Sequence, residues 1–361
     1  MRSVYIHIPF CKSICSYCDF CKFIYSEAWA DSYLNELEKE ILKYYDKDKI
    51  KTLYIGGGTP SSLNKNQLKR LFQIIKIFDI CENYEFTFEM NVNDVNDEIL
   101  SILKENKVNR ISLGIESFND INLKFMNRKH NKNDIKLAIQ KLRNFGFDNI
   151  NVDFMFALPI ETYSMFLKDL KEFIKLNVEH ISTYSLIIEE NTILSYKKIE
   201  PIKEELDYKM YKKICDTLRK KGYVHYEVSN FSKPNKQSIH NLTYWNNQEY
   251  YGFGLGAHGY ISELRYENTR SFNDYLKGNY RINEMIVSKK ECMENEIILG
   301  LRKLEGINVK DFFDKFNVNI QDEFNIIPLI KERMLVLDNE FIKINEDKIY
   351  IMNEIINRVL K

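Results

Sequence analysis

The chain has 361 residues, and its 52 lysines and arginines balance 52 aspartates and glutamates, so the formal net charge is zero. Hydrophobic residues make up 44% of the chain and aromatic residues 13%, which excludes a disordered protein and suffices for a large core. The balanced charge removes the usual electrostatic reason for binding nucleic acid. No apolar run is long enough for a membrane-spanning helix or a secretory signal, so we expect a soluble cytoplasmic protein.

Short β-rich runs alternate with amphipathic helical patterns from the N-terminus to residue 221. The predicted strands are Val4–Ile8, Thr52–Ile55, Glu85–Glu89, Arg110–Glu116, Asn149–Phe156 and His180–Leu186. The predicted helices are Ala30–Tyr45, Asn66–Ile77, Asp97–Asn106, Asp134–Phe145, Ser164–Leu176 and Leu206–Lys221. Six successive βα units predict an α/β fold with a parallel sheet, and six units favour an open, partial (βα)6 barrel over a closed eight-unit barrel.

The remaining residues divide into two further regions, so we predict domains at residues 1–222, 223–288 and 289–361. Residues 223–288 are aromatic and rich in glycine, and we expect them to be a loop-rich connection. Residues 289–361 predict a small α+β module that resembles a winged helix. Its predicted elements are helices at Glu294–Leu304, Val309–Phe316 and Ile327–Leu335, a hairpin of Phe341–Ile344 and Lys348–Met352 that turns at Glu346-Asp347, and a terminal helix. Residues 290–361 carry 11 basic and 14 acidic residues, which argues against contact with a phosphate backbone.

Four of the seven cysteines fall in one short segment directly after the first predicted strand, which Pro9 ends. Cys11, Cys15 and Cys18 are separated by three and then two residues. Three thiolates on one loop can hold three corners of a cubane iron–sulfur cluster and leave the fourth iron open. Cys21 would add a fourth ligand, so an all-cysteine zinc site is the alternative that the cysteines alone leave open.

Several motifs follow one another in order along the chain. They are Tyr5-Ile-His-Ile-Pro-Phe-Cys11, Tyr54-Ile-Gly-Gly-Gly-Thr59-Pro, Glu89-Met-Asn91, Arg110-Ile-Ser-Leu-Gly-Ile-Glu116, Asn151-Val-Asp153, Tyr226-Glu-Val-Ser-Asn230, His240-Asn-Leu-Thr-Tyr-Trp245 and Gly254-Leu-Gly-Ala-His258. This ordered set resembles radical S-adenosylmethionine (SAM) proteins of the oxygen-independent coproporphyrinogen III oxidase group. Within that group, the chain is most similar to the haem-chaperone branch. It starts at the first strand, Cys21 lies three residues after Cys18, and the His-Asn-x-x-Tyr-Trp element is typical of that branch.

The resemblance implies a radical SAM partial barrel with a [4Fe–4S] cluster held by Cys11, Cys15 and Cys18 and with SAM on the open iron. One electron then cleaves the sulfonium to release a 5′-deoxyadenosyl radical, and the protein positions the cofactor. The residues implied to contact SAM are Tyr5, Tyr17, Gly57, Gly58, Thr59, Glu89, Glu116, Arg128 and Asp153. Glu116 stands where the group usually has Gln, which puts in doubt the second-cofactor contacts inferred for the oxidases.

Two functions from different classes follow from this resemblance. The first is a chaperone that binds haem as cargo and transfers it to apo-haemoproteins, served by an electron donor and in some cases by a membrane-associated acceptor. His240 is then the leading candidate for an axial haem ligand and His258 a second. The alternative is an oxygen-independent coproporphyrinogen III dehydrogenase, which uses the radical to remove carboxyl groups from propionate side chains. The missing N-terminal extension, the position of Cys21 and Glu116 favour the chaperone.

Overall fold

The computed structural model describes residues 1–361, and its elements are numbered in chain order. The strands are β1 (Arg2–Ile8), β2 (Phe10–Cys11), β3 (Phe23–Ile24), β4 (Lys49–Gly57), β5 (Asp79–Asn91), β6 (Arg110–Glu116), β7 (Ile150–Phe156), β8 (His180–Ser185), β9 (Val224–Glu227), β10 (Asn230–Ser232), β11 (Tyr250–Phe253), β12 (His258–Ile261), β13 (Leu264–Asn268), β14 (Arg281–Ile286), β15 (Ile307–Asn308), β16 (Leu335–Asp338) and β17 (Phe341–Ile344). The α-helices are α1 (Glu27–Tyr44), α2 (Lys65–Ile75), α3 (Asp97–Glu105), α4 (Asp120–Phe125), α5 (Lys132–Asn144), α6 (Tyr163–Lys175), α7 (Ile193–Tyr196), α8 (Glu204–Lys220), α9 (Ile239–Trp245), α10 (Phe272–Leu276), α11 (Lys289–Gly300), α12 (Val309–Phe316), α13 (Ile320–Glu323), α14 (Ile326–Lys331) and α15 (Met352–Val359). Short 3-10 helices cover Pro60–Ser62, Val92–Asp94 and Glu346–Ile351.

Strands β1, β4, β5, β6, β7 and β8 pair in parallel in that order, so the predicted partial barrel of six βα units is confirmed. Alternation along each strand separates two environments. On β6, Ile111, Leu113 and Ile115 are fully buried within the main hydrophobic core. Arg110 and Glu116, of the opposite parity, line a cavity inside the barrel. The same alternation therefore builds the core on one face of the sheet and a polar interior on the other.

Residues 223–288 are not the loop-rich connection that the sequence predicted, because their strands extend both edges of the barrel sheet. Strand β10 pairs with β8 at one edge, and β11 adds a further parallel strand beside β1 at the other, followed by β12, β13 and β14. The glycines in these strands allow atoms of neighbouring residues to approach the backbone closely, and they do not form turns. A Cβ atom on Gly252 would lie 1.8 Å from the carbonyl oxygen of His258, and one on Gly259 would lie 2.1 Å from the ring of Tyr266.

Residues from Met293 to Val359 form a second hydrophobic core of 17 buried side chains, built from helices and an antiparallel sheet in the order β15-β17-β16. Helix α12 has the bounds that the sequence predicted, but the predicted hairpin is wrong by one strand. Phe341–Ile344 pairs with Leu335–Asp338 instead, and the turn falls at Asn339, whose φ is 54°. Lys348–Met352 is not a strand, because the Asn345 side chain accepts a hydrogen bond from the Asp347 amide and caps a 3-10 helix. None of the helices combines the length and the hydrophobicity that crossing a bilayer requires.

Candidate functional site

A cavity of about 520 Å³ lies inside the partial barrel and reaches the carboxyl ends of its strands. In sheets of this kind, ligands bind at that end of the strands. The predicted site residues that line this cavity are Cys11, Cys15, Cys18, Tyr17, Gly57, Gly58, Thr59, Glu89, Glu116, Arg128 and Asp153. Tyr5, His240 and His258 do not line it. The fold therefore brings together residues that are up to 142 positions apart in the sequence.

The cysteine loop is held in place by the segment that follows β6. The amide and the hydroxyl of Ser16 donate to the carbonyl oxygens of Met126 (3.1 Å) and Phe125 (2.8 Å). The side-chain amide of Asn127, which has a positive φ of 60°, donates to the carbonyl oxygen of Ile14 (2.7 Å). All three hydrogen bonds are accepted by backbone carbonyl oxygens, and two of them are donated by side chains, so Ser16 and Asn127 help to fix the loop geometry.

Cys21 is separated from the other three cysteines. Its side chain is buried in the main core, where its Sγ lies near the carbonyl oxygen of Arg270 (4.0 Å) and beside Gly256. No group of three or more histidine, cysteine, aspartate or glutamate side chains converges closely enough to hold a single metal ion. Cys11, Cys15 and Cys18 line the cavity without Cys21, which suits three corners of a cubane and leaves a structural zinc ion without its fourth cysteine.

The end of β4 comes close to the cysteine loop because it consists of glycines. Gly58 donates its amide hydrogen to the carbonyl oxygen of Ile8 (2.8 Å), and a Cβ atom at Gly58 would lie 2.9 Å from that oxygen and 3.0 Å from the sulfur of Cys11. Gly57 has a φ of 111° and packs against the ring of His7. Thr59 donates its hydroxyl hydrogen to the Cys11 sulfur (3.5 Å). This close backbone approach leaves a surface beside the cysteines that a small ligand can contact.

Arg128 is the centre of a polar network on one wall of the cavity. Its guanidinium forms an ion pair with Glu116 and donates to Asn91 Oδ1 (2.7 Å) and to the hydroxyl of Tyr17 (3.1 Å). Glu116 has a φ of 67°, in the left-handed region that side chains such as glutamate seldom adopt. A strained backbone held by a buried ion pair is typical of a functional site.

Two further carboxyl groups face the interior. Glu89 accepts hydrogen bonds from the Tyr54 hydroxyl (2.6 Å) and the Gly57 amide (3.0 Å), and burial raises its pKa. Burial, together with the neighbouring charges of Glu116 and Glu89, raises the pKa of Asp153 to about 8. An excess of acidic groups in a buried cavity suits a cationic ligand, and SAM carries a positive sulfonium. The residues present therefore fit both the cluster and SAM.

His240 lies on α9, where it contacts β4, and it does not line the cavity. Its Nδ1 is 2.7 Å from Thr52 Oγ1 and its Nε2 is 2.8 Å from the Tyr244 hydroxyl, so both ring nitrogens are hydrogen-bonded. Burial lowers its pKa to about 3. A role as haem ligand would require breaking one of these bonds, and it stays a prediction. His258 lies at the surface with its side chain 59% exposed, 4.0 Å from Glu267.

Tyr5 also takes part in an internal hydrogen bond. Its hydroxyl is 2.9 Å from His7 Nδ1, and His7 Nε2 is 2.7 Å from the carbonyl oxygen of Cys21. Burial lowers the pKa of His7 to about 4, and with both ring nitrogens hydrogen-bonded it is a satisfied core histidine. Tyr5 therefore forms a hydrogen bond within the strand that precedes the cysteine loop, and it does not line the cavity.

Sequence reasoning missed Tyr54, Asn91 and Arg110, which also line the cavity. The available signal was strand alternation. Tyr54 has the same parity as Gly58, which follows its strand and lines the cavity, and Arg110 has the same parity as Glu116.

The barrel and its three-cysteine loop define a radical SAM protein, and the model of the radical SAM superfamily matches residues 5–173. This class implies a [4Fe–4S] cluster and SAM. The model of the HemN C-terminal domain matches residues 287–347, around the second core. In a solved structure, coproporphyrinogen III oxidase (HemN) from Escherichia coli has the same fold, with a TM-score of 0.88 over 99% of this chain and 89% of that chain at 22% sequence identity.

Full-length relatives define the family within this class. The heme chaperone HemW of Lactococcus lactis subsp. lactis is 39% identical over 369 residues, which cover 99% of this chain and 97% of that protein. The heme chaperone HemW of Bacillus subtilis is 37% identical over 355 residues, which cover 94% of each chain. The chain belongs to the HemW family.

Proposed function

We propose that this protein is a cytoplasmic haem chaperone that binds haem and transfers it to apo-haemoproteins. The residues proposed to hold the [4Fe–4S] cluster are Cys11, Cys15 and Cys18. Support comes from membership of a family whose bacterial relatives are named for this function, with near-complete coverage of both chains. An electron donor and the acceptor proteins are further partners in this proposal.

The observation that favours the chaperone over a coproporphyrinogen III dehydrogenase is the ion pair between Glu116 and Arg128. The oxidase group usually has Gln at this position, where an amide could donate a hydrogen bond to a second cofactor. A carboxylate has no hydrogen to donate and is already engaged by the guanidinium. The wall of the cavity is therefore neutralised internally.

The cavity is also amphipathic, as haem is. Phe20 and Ile187 line its mouth and are 61% and 68% exposed, and Leu186 adds a further apolar contact. Arg110 and Asn151 line its polar interior. Haem has a large apolar face and two propionate groups. The apolar residues can remove that face from water, and the polar residues can bind the propionates.

The protein's own groups would position the cofactor. Gly57, Gly58 and Thr59 supply a close backbone surface, Glu89 and Asp153 supply carboxyl groups that a cationic ligand favours in their ionised form, and Arg128 with Tyr17 forms part of the wall. The cluster and SAM, when bound, supply one-electron chemistry that cleaves the sulfonium. We propose that this site acts as a gate or reaction partner for the haem-bound state.

The decisive experiment uses the full chain after anaerobic reconstitution of its cluster. Haem binding is followed by absorbance, and transfer is followed by recovery of the spectrum of an apo-haemoprotein such as apomyoglobin. In parallel, the protein is incubated with coproporphyrinogen III, SAM and a reductant, and the tetrapyrrole is analysed by mass spectrometry. We expect haem binding and transfer with an unchanged coproporphyrinogen. Loss of carboxyl groups from that tetrapyrrole would make the protein a dehydrogenase instead.

Two variants test the proposed haem ligands in the same assay. His240→Ala removes a buried side chain with two internal hydrogen bonds, whereas His258→Ala removes an exposed one. A changed haem spectrum in only one variant identifies the ligand. If both variants keep the parental spectrum, haem is ligated by another group.

A further inference from the structure

Arg110 is a buried cation with almost no partner inside the protein. Its residue exposure is 2%, and it is among the largest fully buried side chains. Its Nε has no hydrogen-bond partner, and its one side-chain hydrogen bond runs from Nη1 to Thr87 Oγ1 at 3.5 Å. A guanidinium has five N–H donors and no acceptor, so most of its donors are unused. An unpaired buried charge is strongly unfavourable unless a partner arrives.

The neighbours of Arg110 cannot supply that partner. Burial, with the positive charge of Arg110, lowers the pKa of His180 and of His240, so both rings are neutral. Their nitrogens are already hydrogen-bonded, those of His180 to Asn151 (2.6 Å) and Tyr226 (2.7 Å). The charge of Arg110 opposes the rise in the pKa of Glu89. The carboxylate oxygens of Glu89 accept hydrogen bonds from Tyr54 and Gly57, however, and form no ion pair with Arg110.

The unused donors belong to a residue that lines the cavity. Arg110 starts β6, six residues before Glu116 on the same strand face, so it lies towards the amino end of the barrel, away from the cysteine loop. Asn241 of α9 lines the same cavity, and its side-chain amide has no hydrogen bond within the chain. Two polar side chains, most of whose hydrogen-bonding groups have no partner within the chain, thus line the deep part of the cavity.

We propose that Arg110 is the carboxylate-binding residue of a ligand subsite deep in the cavity. A carboxylate matches the planar fork of a guanidinium, which binds it through two parallel hydrogen bonds. The carboxylate in this proposal is a haem propionate, so the assignment rests on the proposed function. The amino-acid end of SAM does not qualify, because SAM binds the open iron at the cysteine loop and Arg110 lies towards the other end of the cavity.

The test measures equilibrium binding to the full, anaerobically reconstituted chain. Arg110→Met removes the charge and keeps much of the volume, while Arg110→Gln is made in parallel because its amide can still donate to Thr87. Arg281→Met is the matched control. Arg281 is also mostly buried, stacked on Tyr44 and Tyr266, and does not line the cavity. Thermal unfolding of each variant shows which of them fold.

Three ligands are titrated: haem, haem dimethyl ester, whose propionates carry no charge, and SAM. We expect the Arg110 variants to weaken haem binding by about 10- to 100-fold, the effect of losing a charge-assisted hydrogen bond, and to leave the binding of haem dimethyl ester and of SAM unchanged. An equal loss for haem and its dimethyl ester would overturn the assignment, because it would not depend on the carboxylate, and so would an equal loss for SAM, which would show a general change of the cavity. Arg110→Lys, which keeps the charge, should recover part of the affinity.

A folded Arg110 variant that binds haem as tightly as the parent and the control would overturn the assignment and leave the proposed function standing. If the parent itself fails to bind haem, the proposed function fails, and the assignment fails with it.

Discussion

Glu40 makes the stability of this protein depend on pH. It lies on α1 with 1% exposure and accepts hydrogen bonds from the Gly254 amide (2.9 Å), the Asn268 side-chain amide (2.5 Å) and the Tyr275 hydroxyl (2.5 Å). It therefore ties α1 to the added strands at the edge of the barrel. Burial raises its pKa to about 7, and the three hydrogen bonds and Arg281 offset only part of that effect.

The magnitude follows from linkage between protonation and folding. The pKa of Glu40 rises from 4.5 in the unfolded chain to about 7 in the folded one, and each pKa unit corresponds to about 1.4 kcal/mol. Below pH 4.5 both states are protonated and the contribution to stability is fully present. Between pH 4.5 and about 7, Glu40 ionises in the unfolded chain but stays protonated in the folded one, which stabilises the unfolded state. About 3 kcal/mol of unfolding free energy is lost in this way. Most of that loss falls between about pH 5 and pH 8.

Urea unfolding of the parent and of Glu40→Gln at those two pH values measures this loss. Because Gln does not titrate, its stability should change with pH by about 2 to 3 kcal/mol less than that of the parent. Glu36→Gln is the control, since Glu36 lies one turn away on the same helix and bonds to Tyr280 and Lys39. An equal pH dependence in the parent and in Glu40→Gln would refute the reasoning.

Three further predictions concern the cavity. Cys15→Ala should lower the iron and sulfide retained after reconstitution, whereas Cys21→Ala should retain the parental amounts because its thiol lies outside the cavity; equal loss in both would contradict this. Gly58→Ala places a Cβ 2.9 Å from a backbone oxygen. We expect urea unfolding to show a loss of about 1 to 3 kcal/mol of unfolding free energy, and SAM to bind more weakly. Unchanged values would show that the strand end relaxes freely. Glu116→Gln keeps an acceptor for its arginine partner but removes the charge, so urea unfolding should show a loss of about 1 to 3 kcal/mol, and a more stable variant would speak against a stabilising ion pair.

The sequence by itself determined the barrel and most of its polar lining. Helical and strand periodicity depend on residues a few positions apart, which is why Arg110–Glu116 and Val309–Phe316 have the predicted bounds. Strand ends meet at one edge of a parallel sheet, so the cysteine loop, the glycines after β4 and Glu116 could be expected at one site. Local pattern and barrel geometry were sufficient for these features.

Only the tertiary structure decided which segments join the sheet and which side chains reach the cavity. The glycines at 252 and 259 have the same local signature in a turn as in a crowded strand, and only their neighbours across the sheet distinguish the two. Cys21 is three residues from Cys18 yet belongs to the core, while His240 is turned away from the cavity by Thr52 and Tyr244. Contacts with residues distant in the chain determine where these side chains lie. Such contacts depend on the folded arrangement and produce no periodic pattern in the sequence.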